Sequence, residues 1–417
     1  MIHFGIVGIG GFATTWIECL QALEEKGLGR LAAAVVRNPA KYSEKIAFLK
    51  QKHCRIYSSL TEMLAQREQP LDIIGIPTGI PSHAPLGDQA LSAGYNTLIE
   101  KPVAATIQEV RRLQEAEQKA GRWCAIGYQM IYSPTIQWLR QKITSGALGQ
   151  IKEMRSLIGW PRPASYYARN SWAGQLRLGE SWVLDGPATN ATAHYLTNML
   201  YLAGAQKGGK IEIARVRAEL YRAKPIPSYD TSCIEIQMAS GTRILHYASH
   251  SLSRNLHPIM QIIGEKGYVE WQAPGNVATI YYTDGKKEEF ADPSPETIHQ
   301  RPFEQVARVA MGKDSAPLCG LNEGGPHVLA IDLAFESSQG CFSIPSRFLY
   351  TCRGDDGTEL ICIQNMEEIL QEAYSKGTLF AEMEVPWAKE TQPVSAAGYT
   401  YFPSKTLEGK LKEAIQG

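Results

Sequence analysis

Across positions 1–128, short apolar runs alternate with longer segments whose apolar residues recur at helical spacing. The opening run 2–7 is apolar and stopped by glycine, the pattern of a strand buried on both faces. Helical spacing follows over 14–26, an apolar strand over 31–36, a helix over 39–52, a short strand over 55–57 and an amphipathic stretch over 60–66. A fourth buried strand over 71–76 ends at Pro77, and a helix over 83–93 closes at Gly94. The strand 96–99 runs into Glu100-Lys101-Pro102, a charged helix covers 106–121, and a sixth strand covers 123–127. Strands separated by helices of this length predict a parallel sheet with right-handed crossovers, an α/β domain of Rossmann type.

From about 151 the texture changes. Strand-like runs at 153–160, 212–221, 231–238, 243–249, 259–263, 268–272 and 278–283 are separated by turn signals such as Ala239-Ser240-Gly241 and Asp284-Gly285. They predict a large open, mainly antiparallel sheet, and helices over 132–145, 187–203 and 301–312 make this domain α+β. The chain is thus expected to comprise a dinucleotide-binding domain over 1–128, an α+β substrate and oligomerisation domain over 129–340, and an extension over 341–417 that packs on them. Within the extension, 359–376 reads as one amphipathic segment. A length of 417 residues supports more than one domain.

Composition narrows the partners. Lys+Arg and Asp+Glu balance at 42 each, with no basic run longer than two, so no nucleic-acid partner is expected. No segment approaches the roughly 18 consecutive apolar residues of a membrane span, and positions 1–8 lack the pattern of a signal peptide. The eight cysteines show no C-x-x-C, and together with the nine histidines they show no metal-ligand spacing. A cytoplasmic protein without a metal site is expected.

The candidate chemistry starts at Gly8-Ile9-Gly10-Gly11-Phe12-Ala13, which matches G-x-G-x-x-[GA] between the first strand and the first helix. One glycine makes the tight turn, the next admits a pyrophosphate to the backbone N–H groups, and the small third residue lets the helix pack closely. The helix N-terminus then faces the phosphates. In open parallel sheets the ligand lies beyond the carboxyl ends of the strands, where Gly8, Arg37, Pro77, Lys101 and Tyr128 fall, with Gln129 next to the last. No acid stands in Val35-Val36-Arg37-Asn38 to bind a ribose 2′-hydroxyl. A guanidinium there suits a 2′-phosphate, so the cofactor reading is NAD(P) with a lean to NADP, the alternative being a solvated loop arginine. Lys101 is either a surface charge or a group that donates to, or accepts a proton from, a substrate hydroxyl.

The glycine fingerprint, Pro77 with His83 after the fourth strand, and Glu100-Lys101-Pro102 after the fifth together resemble the Gfo/Idh/MocA oxidoreductase family over roughly 1–340, with a long tail beyond it. The resemblance implies that Lys101 lies beside nicotinamide and substrate, that Pro102 holds its turn, and that Thr78, His83 and Glu100 accompany the cofactor. It also implies that Asp185 contacts the sugar. Four residues on, where the family has a histidine, this chain has Thr189, so the acid/base assignment does not transfer directly. After Pro187, Asn190 and His194 fall at i and i+4 of a helix. Either His194 takes over, or Asn190 binds a hydroxyl while Lys101 handles the proton; His194 as a structural residue is the alternative. Trp160, Arg162, Arg169, Asn170 and Trp172 are candidates for stacking on a sugar ring or gripping hydroxyl and anionic groups, and equally for core packing.

The implied activity is hydride transfer between NAD(P) and a secondary hydroxyl or ketone of a sugar, glycoside or cyclitol. Two alternatives stand beside it: transient oxidation that cleaves a glycoside, and a non-catalytic dinucleotide-binding sensor. An apolar sheet face must be covered, so a homodimer or homotetramer is expected.

Overall fold

Five of the six short strands at the start of the chain are largely buried, the pattern of a sheet covered on both faces by crossover helices, and the third, Arg55–Tyr57, is half-buried at the sheet edge. The computed structural model describes residues 1–66, 70–273 and 275–416. The chain divides into two units. The first holds Met1–Ala104, Gln108–Ser133 and Ser294–Gly325, and the second holds Ala105–Ile107, Pro134–Pro293 and Pro326–Gly417.

In the first unit β1 (Ile2–Val7), β2 (Gly29–Val35), β3 (Arg55–Tyr57), β4 (Ile73–Ile76), β5 (Asn96–Ile99) and β6 (Cys124–Ile126) stand in the order β3-β2-β1-β4-β5-β6. All five strand pairs are parallel. Helices α1 (Ala13–Glu25), α2 (Ser43–Gln51), α3 (Leu60–Ala65), α4 (His83–Ser92) and α5 (Ile107–Ala120) link them. The order reverses between β1 and β4, and such a switch point opens a crevice at the strands' carboxyl ends. The core joins Phe4, Ile6, Trp16 and Leu20 to Phe303, Val306 and Ala307.

Those last three residues come from the helix Arg301–Ala310, which the sequence pattern grouped with the second domain. The chain instead returns to the first unit here. Phe303 sets its ring 4.9 Å from Trp16, edge to face, and Pro302, Val306, Ala307 and Val309 share its buried side. An amphipathic helix announces an apolar face but not the surface that face will meet.

The second unit contains β7 (Ile151–Gly159), the two-residue pair β8 (Arg177–Leu178) and β9 (Ser181–Trp182), β10 (Ile213–Arg222), β11 (Thr231–Met238), β12 (Arg243–Ser249) and β13 (Leu256–Gly264). Beyond them come β14 (Gly267–Gln272), β15 (Val277–Tyr282), β16 (Lys287–Ala291), β17 (Phe342–Ser343), β18 (Leu349–Arg353), β19 (Glu359–Ile363) and β20 (Val394–Ser395). The main sheet runs β16-β15-β14-β13-β7-β12-β11-β10-β17, and β20 pairs with β10. Its pairs are antiparallel except β7–β12 and β10–β17. The helices Pro134–Thr144 and Ala193–Gly204 belong to this unit. On one face His246 bonds Ser156 and Thr192, and Trp271 meets Tyr195 of the helix Ala193–Gly204.

The alternate side chains Leu157, Tyr221, Cys233, Leu245 and Tyr247 form the other face, and the tail covers them with Ile363, Met366, Leu370, Ala373, Phe380 and Trp387. The stretch 359–376 is two elements, not one. Strand β19 alternates, Asn365 takes a left-handed φ of 57°, and the helix Met366–Lys376 begins behind it.

A polar link secures the tail to the sheet. Glu219 accepts a hydrogen bond from the Tyr221 hydroxyl at 2.7 Å and from the Ala381 N–H at 3.1 Å, and Lys389 N–H donates to the same tyrosine oxygen at 2.9 Å. Burial pushes the Glu219 carboxyl up to about 7, against an ordinary 4.5. The folded protein therefore holds a proton that the unfolded chain has released between those values. This contribution to stability is complete below pH 4.5 and is lost as pH rises through 7. Glu219→Gln should remove that dependence, raising stability by roughly 1–3 kcal/mol at pH 8 while changing it little near pH 4.5. Denaturant melts across this range check it; an unchanged pH slope in the variant would contradict it.

Candidate active site

The turn after β1 owes its shape to two glycines. Gly8 has φ +95° and Gly11 has φ +57°, backbone that residues with a Cβ rarely adopt, and nothing lies within 4 Å of where a Cβ of Gly11 would stand. Helix α1 begins at Ala13 with no side-chain cap and no acid in its first turn. Among the described residues, the N–H groups of Gly10, Gly11 and Phe12 have no acceptor. Open donors at a helix N-terminus attract an anion, so these residues fit a dinucleotide pyrophosphate.

Two flanking residues were not foreseen. Lys45 of α2 sends its Nζ to Thr14 Oγ1 at 2.8 Å and to Ile9 O at 3.0 Å, which sets an ammonium on the glycine turn. Tyr42 brings its hydroxyl into the space that a Cβ on Gly10 would need, so a larger residue there would displace the tyrosine ring. Neither belongs to a local motif; only the packing of α2 against the turn reveals them. Arg37 follows β2 and is exposed.

At the next strand end Pro77 is buried, and the Thr78 methyl lies 3.9 Å from the Cβ position of Gly8. His83 is 1% exposed, with Nδ1 2.7 Å from Pro102 O and Nε2 2.9 Å from Thr78 O. It ties the end of β4 to the turn after β5. Burial holds its pKa below the ordinary value, with the two carbonyls acting in the other direction. The Glu100 carboxylate accepts from the Lys101 N–H at 2.9 Å and from Trp16 Nε1 at 3.4 Å. Burial raises its pKa, and the Lys101 charge is the strongest opposing influence. Both residues were expected to accompany the cofactor; their polar atoms are engaged within the unit, where they fix strand ends. Tyr128, expected at the substrate, is wholly buried, and its carbonyl accepts from the Ile131 N–H at 2.9 Å. Gln129 lines a small cavity with Phe12, Trp16, Glu100 and His299.

In the second unit, Asp185 is 2% exposed; its Oδ2 accepts from the Gly174 N–H at 2.7 Å and its Oδ1 from Asn190 Nδ2 at 3.0 Å. The helix expected from 187 opens instead with a wide turn over Pro187–Ala191, in which the Thr192 N–H reaches Pro187 O at 2.8 Å. Regular helix begins only at Ala193, so spacing alone no longer puts Asn190 and His194 on one face. His194 is partly exposed on the first turn. Thr189, where the resemblance implies a histidine, is buried and bonds the Tyr229 hydroxyl through its N–H at 3.0 Å and its Oγ1 at 2.8 Å. It carries no group that titrates.

The stretch 160–172 gathers around Tyr166. The Arg162 and Arg169 guanidinium carbons lie 4.7 and 3.6 Å from the centre of its ring. Trp160 lies 5.6 Å from Arg162, and Trp172 lies 5.4 Å from Arg169. Asn170 accepts from the Trp172 and Ala173 N–H groups and thereby shapes the turn. Among the described residues no group of histidine, cysteine and carboxylate side chains could hold a metal, and no helix is long and apolar enough to cross a membrane.

A parallel sheet with a glycine turn at its switch point, followed by a sheet-and-helix unit, defines a class of dinucleotide-dependent oxidoreductases. A family model described as "Oxidoreductase family, NAD-binding Rossmann fold" matches residues 2–128, and the C-terminal-domain model of the same family matches 136–270. The chain belongs to the Gfo/Idh/MocA oxidoreductase family. It is 24% identical over 279 residues to a D-apiose dehydrogenase of Paraburkholderia graminis, covering 65% of this chain and 68% of that one. It is 29% identical over 143 residues to a UDP-N-acetylglucosamine 3-dehydrogenase of Acidithiobacillus ferrooxidans, 34% of this chain and 42% of the relative. Among solved structures, the WlbA dehydrogenase of Chromobacterium violaceum, in complex with NADH and UDP-GlcNAcA, superposes with a TM-score of 0.66 at 21% identity, over 86% of this chain and 95% of that one.

The ammonium on the glycine turn yields a prediction. Lys45→Ala should weaken NAD(P)H binding by about five- to twentyfold, the loss of one charge-assisted contact, without altering the melting temperature. Fluorescence titration of the nucleotide measures this, and an unaltered dissociation constant would exclude Lys45 from the cofactor site.

Proposed function

We propose that this chain transfers a hydride between NAD(P) and a secondary hydroxyl or ketone of a sugar, glycoside or cyclitol. The observation that carries the reading is that the glycine turn after β1, Thr78 after β4 and Lys101 after β5 stand at the ends of neighbouring parallel strands. The names of the relatives, dehydrogenases of D-apiose and of a nucleotide sugar, support a carbohydrate substrate. When bound, the nicotinamide supplies the hydride acceptor or donor. Lys101 holds the substrate oxygen by a hydrogen bond and moves the proton at that atom. Gly8, Gly10, Gly11 and Lys45 hold the phosphates, while Gln129 lines the neighbouring cavity. In the second unit Asp185 and Asn190 shape the turn at Pro187–Ala191, and His194 is the titratable candidate for a substrate hydroxyl, Thr189 standing where the resemblance implies a histidine.

For the cofactor we favour NADP. Arg37 and Lys41 are exposed after β2, and no carboxylate follows that strand until Glu44. A cytoplasmic homo-oligomer completes the reading, to be checked by light scattering. The loss of the family histidine favours a second reading, a dinucleotide-binding sensor without turnover.

Lys101→Ala should lower kcat by roughly 10²–10⁴ while nucleotide affinity stays within about threefold. Nicotinamide absorbance during a screen of sugars and polyols measures turnover. Nucleotide binding with no response to any of them would favour the sensor, and undiminished turnover in the variant would remove Lys101 from the proton step. In the same titrations NADPH should bind at least about tenfold more tightly than NADH, and Arg37→Ala should erase the difference.

A further inference from the structure

In the second unit two arginine side chains gather beside a buried histidine, and among the described residues no carboxylate pairs with either guanidinium. Strands β7 and β12 run parallel, and their ladder continues past their ends: Trp160 N–H donates to Ser249 O at 2.9 Å and Arg162 N–H to His250 O at 3.1 Å. This places Arg162 beside His250. The Arg162 guanidinium is held by stacking alone, on Tyr166 and Trp160. Among the described residues it donates no hydrogen bond and meets no carboxylate, and its Nε is buried without an acceptor. Arg169 stacks on the same ring and donates to the Tyr166 carbonyl.

His250 is 2% exposed. Its Nδ1 bonds the Tyr167 hydroxyl at 3.0 Å, and its Nε2 is buried with no partner. Behind it, buried Lys224 fills its ammonium with His250 O at 3.0 Å, Ser251 Oγ at 2.8 Å and Ile361 O at 2.8 Å. Of the nearby carboxylates, Asp230 supports the charge of Lys224, and neither it nor Asp185 pairs with Arg162 or Arg169 among the described residues. Asp230 accepts the N–H groups of Ala223 and Lys224, both at 2.8 Å, and Asp185 accepts that of Gly174. The cations reach the histidine: after burial, Arg162, Lys224 and Arg169 are what holds its pKa down.

We propose that Arg162, Arg169 and His250 bind an anionic group on the ligand, so that the substrate is an acidic sugar, with its carboxylate or phosphate on the Arg162 fork. The proposal rests on the reading that the ligand is a sugar. An Nε buried without an acceptor or counter-charge is costly, and the planar pair of N–H groups on a guanidinium matches two oxygens of one carboxylate or phosphate. Stacking on Tyr166 and Trp160 fixes the fork before the ligand arrives and leaves its donors free. His250 Nε2 offers one further polar contact at the same place.

The test compares D-gluconate and D-glucuronate with D-glucose, and D-glucose 6-phosphate as the phosphate arm, on the nucleotide-loaded full chain. Calorimetry and initial rates are both recorded. At least one anionic sugar should bind about tenfold or more tightly than glucose, with an affinity that falls as salt rises; the arm that responds separates carboxylate from phosphate. Arg162→Gln should raise the KM of that compound by about 10–100-fold, at least ten times the effect on a neutral sugar, with kcat changed less than KM. Arg162→Lys, which keeps the charge without the fork, should recover only part of the loss. Arg169→Gln, at an exposed position, gives a second variant with little risk to folding and should also raise KM. Equal affinity for glucose and all its anionic forms, or Arg162→Gln weakening neutral and anionic sugars alike, would overturn the proposal. Neutral polyols turned over while no acid binds would sink the anion site and leave the dehydrogenase reading standing. An acid that binds in an Arg162-dependent way without any turnover would do the reverse.

Discussion

A buried histidine and a buried carboxyl hold the strand ends on which the chemistry of the first unit depends. His83 spans two backbone carbonyls, one after β4 and one in the Lys101-Pro102 turn. Glu100 joins Trp16 of α1 to the backbone of Lys101. Between them they fix the exits of β4 and β5 and the helix that follows the glycine turn. An isolated lysine at a strand end would sample many positions. With its own N–H anchored and the next carbonyl tied to His83, the backbone under Lys101 is held from both sides, the preorganisation that the proposed proton step calls for.

The second unit applies the same principle with different means. Asp185 engages Gly174 and Asn190, and Asn170 caps the turn that presents Trp172. These are backbone-shaping bonds made by side chains that resemble ligands of a sugar. Beneath them the sheet has two apolar faces. One meets the helix Ala193–Gly204, and part of the other is covered by the chain's own tail through Met366, Leu370, Phe380 and Trp387. The tail thus performs at least some of the covering that argued for a second subunit, and it also brings Ile361 O to buried Lys224.

Much of this was legible in the residues. The first unit follows its apolar rhythm closely, since buried parallel strands leave a period and a punctuation that need no tertiary information. The strands 231–238 and 243–249 coincide with β11 and β12, which are likewise buried and are separated by the turn at Ala239-Ser240-Gly241. What escaped depends on contacts distant in the chain. The helix Arg301–Ala310 displayed its apolar side without its partner. The wide turn at Pro187–Ala191 looks like helix to any spacing argument, because proline, alanine, threonine and asparagine fit either. Lys45, Tyr42 and His250 lie in segments with no motif and gain meaning only from the atoms placed beside them. Thr189 was recognised as a departure, but its burial against Tyr229 could be learned only from the fold.

The central claim is that one nucleotide lies across the carboxyl edge of the first sheet, from the glycine turn to Lys101. A crystal structure of the protein grown with NADP(H) tests it most directly. The account predicts the pyrophosphate on the N–H groups of Gly10, Gly11 and Phe12 beside Lys45, and the nicotinamide next to the Lys101 ammonium. A nucleotide bound away from that turn, or a nicotinamide remote from Lys101, would contradict it.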